Sequence, residues 1–370
     1  MPTSKPAVKI GVVVHGPEVV DSGSALKVLS YLEKFGSTNA VLGGTMGRLA
    51  VMDAGIEDII RISPSRRPSQ SIRDIQPDSD IIVLLNQAKT RDTGMAFGTK
   101  VAAHAGATRP IVHIDCGGRF TAVFYGNMKA KEIAKTAARD LGLDYLSPPL
   151  PDEKGISSDS SIVHDGDIVK RRLTGVRPGE LISINGTVVA RATSGSVEVW
   201  AQKGRITDIK GAEPKVHGLE KLSDVDLATA VIRSGNIRRT EAKPRALECK
   251  GNGAALIDHC AEDAFELAEG TCIAVTVGDD TTAIAGDILS RKSIPVIGIV
   301  DGDIDGLSQR TISPKGSVVI RVEPGFDDIM GRRVKEEIFE GKNRVSLRAS
   351  DLLERVLEIA GDRIVQIERL

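Results

Sequence analysis

Hydrophobic and polar positions alternate at two periods along the chain, and the period changes from segment to segment. Residues 9–14 form a short apolar run that reads as a strand, and residues 24–35 place Leu26, Leu29 and Leu32 on one face of a helix. Residues 40–42 end a second strand, and Arg48 to Ala54 open a second helix. Residues 80–85 and 110–114 read as buried strands, with a helical stretch around 99–105 between them. This is the rhythm of βαβ units, so residues 1–146 are expected to form a doubly wound parallel sheet of Rossmann or flavodoxin-like type.

The rhythm breaks at 147–170, where Pro, Ser and acidic residues show no apolar period and a linker is expected. Residues 180–184, 187–192, 197–201 and 205–209 then read as short strands joined by Asn185-Gly186, Ser194-Gly195 and Lys203-Gly204. They make 171–222 a small antiparallel module, with a barrel as one way to close it. From 223 to 370 strands and helices alternate again. Helices are expected at 225–233, 254–268 and 281–291, and strands at 245–249, 272–277, 295–300 and 317–322. Leu352, Leu353, Val356 and Leu357 stripe a last helix, followed by an edge strand at 362–367. The fold class is therefore α/β, with a second α/β domain at the C-terminal end.

Composition narrows the partners. The 370 residues carry 49 Lys plus Arg against 50 Asp plus Glu, a net charge of −1, and aromatic residues make up 3%. Neither the charge nor the aromatic content favours nucleic acid as a ligand. No stretch resembles a signal peptide or approaches the roughly 18 apolar residues of a membrane span, so a cytoplasmic protein is expected. The four cysteines form no C-x-x-C pair and are read as reduced. Homo-oligomerisation stays open.

In parallel sheets ligands gather at the carboxyl ends of strands. In the first domain those ends carry His15-Gly16-Pro17-Glu18, Gly43-Gly44-Thr45-Met46-Gly47-Arg48, Asn86-Gln87-Ala88-Lys89-Thr90 and Asp115-Cys116-Gly117-Gly118-Arg119. Glycines that admit a phosphate, next to a helix start and cations, make His15, Gly43, Gly44, Thr45, Gly47, Arg48, Lys89, Gly117, Gly118 and Arg119 candidates for binding a phosphorylated small molecule or nucleotide. The turn is neither G-x-G-x-x-G nor a Walker loop, and tight turns also use glycine for geometry alone. His15 suits either general acid–base work or a hydrogen-bonded scaffold.

The second α/β domain holds the sharper pattern. The run Asp301-Gly302-Asp303-Ile304-Asp305-Gly306 follows a strand, and carboxylates at alternate positions invite a hard cation such as Mg²⁺. It is no EF-hand, because residue 312 is Ile and the preceding element is a strand. Gly278-Asp279-Asp280 follows another strand, where Asp280 could simply cap the helix, and Glu248 precedes a Gly-rich turn. The expected metal ligands are Glu248, Asp279, Asp301, Asp303 and Asp305, with Glu248, Asp301 and Asp303 catalytic.

That order resembles the Toprim fold of primases, topoisomerases and related nucleases. The resemblance implies that Glu248 matches the family's Glu, that Asp301 and Asp303 match its Asp-x-Asp, and that Gly278 matches the glycine closing the second strand. Cys249 departs from the glycine usual after that Glu. Over its whole length, Val14-His15-Gly16-Pro17-Glu18 with Asp21-Ser22-Gly23, Asn185-Gly186-Thr187 and Val300-Asp301-Gly302-Asp303 give the chain the look of an uncharacterised archaeal family best known from methanogens. The resemblance implies a cellular context and no mechanism.

Weaker candidates remain. His259 and Cys260 are placed on the 254–268 helix, the Lys170-Arg171-Arg172 run could line a phosphate groove, Cys116 could be a nucleophile, and residues 323–328 could cover the acidic site. The function expected is Mg²⁺-dependent hydrolysis or phosphoryl transfer on a phosphoester or nucleotide. The alternative is a noncatalytic regulatory protein that binds an anionic metabolite.

Overall fold

The computed structural model describes residues 8–44, 47–62, 67–148, 161–185, 187–220, 222, 224–230, 232–235, 251–302 and 314–370. The chain divides into two compact units, Met1–Ala242 and Lys243–Leu370.

The first unit opens with β1 (Val8–His15), α1 (Glu18–Asp21), α2 (Ser24–Leu32), β2 (Gly36–Leu42), α3 (Arg48–Ala54), β3 (Ile60–Arg61), α4 (Pro68–Ile75), β4 (Ile81–Asn86) and α5 (Arg91–His104). It continues with β5 (Ile111–Asp115), β6 (Phe120–Phe124), α6 (Met128–Leu141) and β7 (Asp144–Leu146). The strands order as β3-β2-β1-β4-β5-β6-β7, parallel except for the β5–β6 hairpin. The first five follow the Rossmann order 3-2-1-4-5 rather than the flavodoxin order 2-1-3-4-5. β4, Ile-Ile-Val-Leu-Leu-Asn, is buried throughout because helices cover both faces. Val12 and Val14 pack with α2, α3 and α6 on one face, while Val13, Ile82 and Leu84 pack with α4 and α5 on the other.

An antiparallel module follows: β8 (Ile162–Asp165), β9 (Ile168–Leu173), β10 (Leu181–Ile184), β11 (Thr187–Ala192), β12 (Val197–Gln202), β13 (Arg205–Lys210), β14 (Ala212–Pro214), α7 (Val216–Glu220) and β15 (Ile232–Ser234). The strands form two sheets, β14-β11-β10-β15 and β13-β12-β9-β8, that share one core containing Ile182, Val189, Val197 and Val199. The described strands thus make a sandwich and not a barrel. Two expectations change here. The linker ends early, since β8 and the start of β9 fall inside 147–170, where their polar outer faces hide the strand period. The helix expected at 225–233 is a turn followed by β15. The buried Arg171 donates to the carbonyls of Leu227 and Ala230, both at 2.7 Å, which takes those acceptors from any helix. Asp226 caps the same turn through Ala228 N and Thr229 Oγ1.

The second unit contains β16 (Ala254–Asp258), α8 (Ala264–Leu267), β17 (Ile273–Val277), α9 (Asp279–Ser290), β18 (Val296–Val300), β19 (Val318–Val322), α10 (Asp327–Arg333), β20 (Arg344–Val345), α11 (Ala349–Ala360) and β21 (Ile364–Arg369). β16 to β19 lie parallel and in sequence order, with antiparallel β20 and β21 at the edges. Leu256, Val275, Ile297 and Ile320 bury one face against α10 and α11. The helix expected at 254–268 is corrected to strand β16 plus the short α8. A four-residue apolar run carries no period of its own, and burial between β17 and β20 overrides the helix preference of Ala and Leu. The strand expected at 245–249 lies outside the described residues.

Candidate metal centre

Each parallel strand of the second unit delivers an acid to the carboxyl edge of the sheet. β17 ends at Val277, Gly278 turns the chain with φ of 93°, and Asp279 begins α9. β18 runs into Asp301, which is 6% exposed. After β19, residues 323–326 lead to Asp327, the first residue of α10 and 1% exposed. One carboxylate oxygen from each of Asp279, Asp301 and Asp327 lies within 4.8 Å of the others.

Backbone amides fix the constellation. Asp301 N and Gly302 N donate to Asp279 Oδ2 at 3.3 and 3.4 Å, tying the β17 end to the β18 end. Gly325 N donates to Asp301 Oδ2 at 2.9 Å, tying in the segment that carries Asp327. Behind them, Thr276 and Thr282 share a buried hydroxyl contact of 2.8 Å between β17 and α9. Three carboxylate oxygens this close are donors of the hard kind that Mg²⁺ and Ca²⁺ prefer.

Of the expected ligands, the structure brings together Asp279 and Asp301. Glu248, Asp303 and Asp305 lie outside the described residues. The first strand of this sheet, β16, starts after Glu248, so the acid at its carboxyl end is Asp258. Asp327 was not among the expected ligands; its signal was the Phe326-Asp327-Asp328 run opening a helix after a strand, which had suggested only a cover. His259 and Cys260 do not sit on a helix but follow β16, with His259 at φ of 52°.

The crest of the first unit is built differently. His113 Nε2 lies 2.6 Å from Asn86 Oδ1, Asn86 Nδ2 donates to Asp115 Oδ2 at 3.0 Å, and Asp115 Oδ1 accepts from Ala88 N and Gly118 N. Because Asn86 spends its amide on Asp115, His113 Nε2 carries the proton it donates. Burial holds His113 down at about 3, and burial raises Asp115 against its hydrogen bonds. Gly94 and Gly98 of α5 face Asp115 and His113 so closely that a β-carbon at either would collide with the ring or carboxylate.

His15 Nδ1 bonds Gly43 O at 2.7 Å, and its ring stacks on Phe97 with centroids 4.6 Å apart. Burial lowers its pKa despite that hydrogen bond, so at neutral pH the ring is an uncharged, packed group. Gly44 has φ of 97° beside His15, whereas Gly43, Gly47, Gly117 and Gly118 stand where a β-carbon would press on a neighbour. Lys89 Nζ contacts both carboxylate oxygens of Glu180 at 2.8 Å and also Ser234. The lysine therefore clamps the antiparallel module onto the sheet. Arg48 is 3% exposed, and Arg119 donates to Gly142 O at 2.9 Å. Thr45 lies outside the described residues. The Cys116 thiol is pushed up to about 11 by burial and by Asp115, which keeps it from acting as a thiolate. Lys170 packs over Trp200 and bonds Asp165, while Arg171 is buried, so this run lines no described groove. Among the described residues no helix is long and apolar enough to cross a membrane.

Fold and site together define an α/β protein with a Rossmann-ordered sheet in one unit and an acid-lined parallel sheet in the other. Residues 12–342 match the family model described as an uncharacterized protein conserved in archaea, DUF2117, and the chain belongs to that family. It is 38% identical over 369 residues to the uncharacterized protein MJ0065 of Methanocaldococcus jannaschii, covering 97% of this chain and 99% of the relative.

Proposed function

We propose that this chain is a divalent-cation-dependent enzyme acting on a phosphoester or nucleotide, by hydrolysis or phosphoryl transfer, at the carboxyl edge of the second unit's sheet. The observation that carries this is the convergence of Asp279, Asp301 and Asp327 from three separate strand ends onto a space 4.8 Å across. Mg²⁺ held there would neutralise phosphoryl oxygens as charge develops on them. In hydrolysis the oxygen of water bonds phosphorus as the bond from phosphorus to the leaving oxygen breaks, and the proton lost by water passes to the leaving oxygen or to solvent. The Toprim likeness points the same way through Asp301 and Gly278. The alternative, a noncatalytic sensor of an anionic metabolite at the first unit's crest, has less to rest on, since Lys89 is held by Glu180 and Arg48 is buried.

The test is a panel of phosphomonoesters, phosphodiesters and nucleotides incubated with Mg²⁺ or Mn²⁺. Turnover should stop in chelator and fall by about 10²-fold or more in Asp301→Asn, the scale on which loss of one charge-stabilising group acts. Turnover indifferent to both, or thermal stability unmoved by any divalent cation, refutes the proposal.

A further inference from the structure

The sheet of the second unit ends in two unlike edges. β20, at one end, is two residues long, whereas β21, at the other, runs for six. Among the described residues no strand pairs with the outer side of β21. Leu370 N donates to Ser317 O and Leu370 O accepts from Gly316 N, both at 2.9 Å, so Leu370 turns its backbone toward β19. Alternation along an antiparallel strand turns Glu368 the same way and leaves the N–H and C=O of Ile367 and Arg369 pointing outward. Such groups are a template for another strand.

The side chains do not guard this edge. Proteins blunt edges with Lys, Pro or bulges, and residues 364–370, Ile-Val-Gln-Ile-Glu-Arg-Leu, contain neither Lys nor Pro. A bulge is present at Val365, where the register shifts, and it leaves residues 366–370 regular. Val365, Ile367 and Leu370 are 58%, 42% and 45% exposed. Ile367 stands opposite Ile320, which is buried in the core with α10 and α11, so the apolar face of the sheet continues one strand past its cover.

We infer that β21 pairs antiparallel with β21 of a second copy of this chain, about a two-fold axis through Ile367, joining two six-stranded sheets into one. The strand is complementary to itself in this register. Each Ile367 exchanges both backbone hydrogen bonds with the partner's Ile367, and each Gln366 lies across from the partner's Glu368, an amide donor facing a carboxylate. An axis through Glu368 would set two carboxylates face to face, and one through Gln366 would set Arg363 against the partner's Arg369. A two-fold contact also consumes the open edge, so assembly stops at two. A strand this short buries less surface than a permanent dimer does, so the pair should separate on dilution.

The experiment is sedimentation velocity of the full chain over a range of concentrations, where a monomer–dimer equilibrium is expected. Ile367→Lys, at an exposed position, should weaken the dimer by about tenfold or more, because two ammonium groups would meet at the axis. Ile367→Cys should form a covalent dimer on mild oxidation, since residues paired across the axis lie within disulfide reach. Arg363→Cys, roughly 25 Å from its own copy in this register, should cross-link no more than wild type. The cross-link decides the question even should the lysine variant fail to fold. A monomer at every concentration overturns the inference. So does a dimer that survives Ile367→Lys and gives no Ile367→Cys cross-link, since another face of the chain then forms it.

Discussion

The two parallel sheets end in polar residues of similar kind, yet they spend them in opposite ways. At the crest of the first unit, Asp115 is fully buried and accepts from Asn86, Ala88 and Gly118, Asn86 in turn bonds His113, and Lys89 is bound by Glu180. These groups answer one another, and their work is to hold loops and a neighbouring module. At the crest of the second unit, like-charged groups from three strands face a common space. Polar residues at strand ends therefore mark where a site can be, and it is the gathering of three carboxylates at one place that singles out the second crest.

The largest effect expected from breaking this contrast is at Asp115. Replacing it with Ala leaves buried donors of Asn86, Ala88 and Gly118 unanswered, and each such group costs roughly 1–3 kcal/mol, so chemical denaturation should show a loss of about 3 kcal/mol or more. A loss under about 1 kcal/mol would mean that the network is not a stabilising element. His113 comes next. Its folded pKa of about 3 lies below the ordinary histidine value, so the unfolded chain binds more protons below that value and stability falls as the solution is acidified. Between pH 7 and pH 5 the difference amounts to about 2 kcal/mol. His113→Gln, which keeps an amide donor for Asn86, should flatten that part of the profile, and an unchanged slope would assign it to other groups. Gly98→Ala is smaller and reversed in sign from the usual helix rule. Alanine normally gains about 0.5–1 kcal/mol over glycine within a helix, but here its methyl would meet the His113 ring, and overpacking of this kind costs about 1–3 kcal/mol. A net loss near 1 kcal/mol is expected in thermal unfolding, and any gain would show that the helix can retreat from the strand.

The alternation of β and α in both units was legible because long periodic segments such as α2 and α11 and apolar strands such as β4 and β18 declare themselves locally. So was the pull of Asp279 and Asp301 toward one place, since each directly follows a strand. What escaped was set by tertiary context. β16 is too short to show a period, β8 and β9 carry exposed polar faces, and Arg171 unmakes a helix at 225–233 from across the module. Asp327 escaped because an acid opening a helix reads as ordinary dipole compensation, and only the parallel register of β17, β18 and β19 brings it beside the other two. The internal network of the first unit escaped for the converse reason. A glycine at 98 and a histidine at 113 look unrelated until α5 lies on β5.

The smallest effect sharpens the comparison most, because it should have opposite signs in the two sheets. Asp301→Asn removes one of three carboxylates gathered at one place while keeping its size, and its oxygen can still accept from Gly325 N. In chelator the variant should therefore be more stable than wild type by roughly 1 kcal/mol, the usual gain when a site kept for function is relieved of strain. In saturating Mg²⁺ or Mn²⁺ the order should reverse, because wild type gains binding free energy in proportion to the logarithm of metal over its dissociation constant and the variant gains less. Asp115→Asn at the other crest should destabilise with or without metal, since its Oδ1 can keep Ala88 N and Gly118 N but its amide nitrogen then faces the amide donor of Asn86. Thermal scans of both variants in chelator and in metal suffice. Were Asp301→Asn to lose stability in chelator as Asp115→Asn does, the acids of the second unit would be scaffold like those of the first, and the cation site would have to be given up.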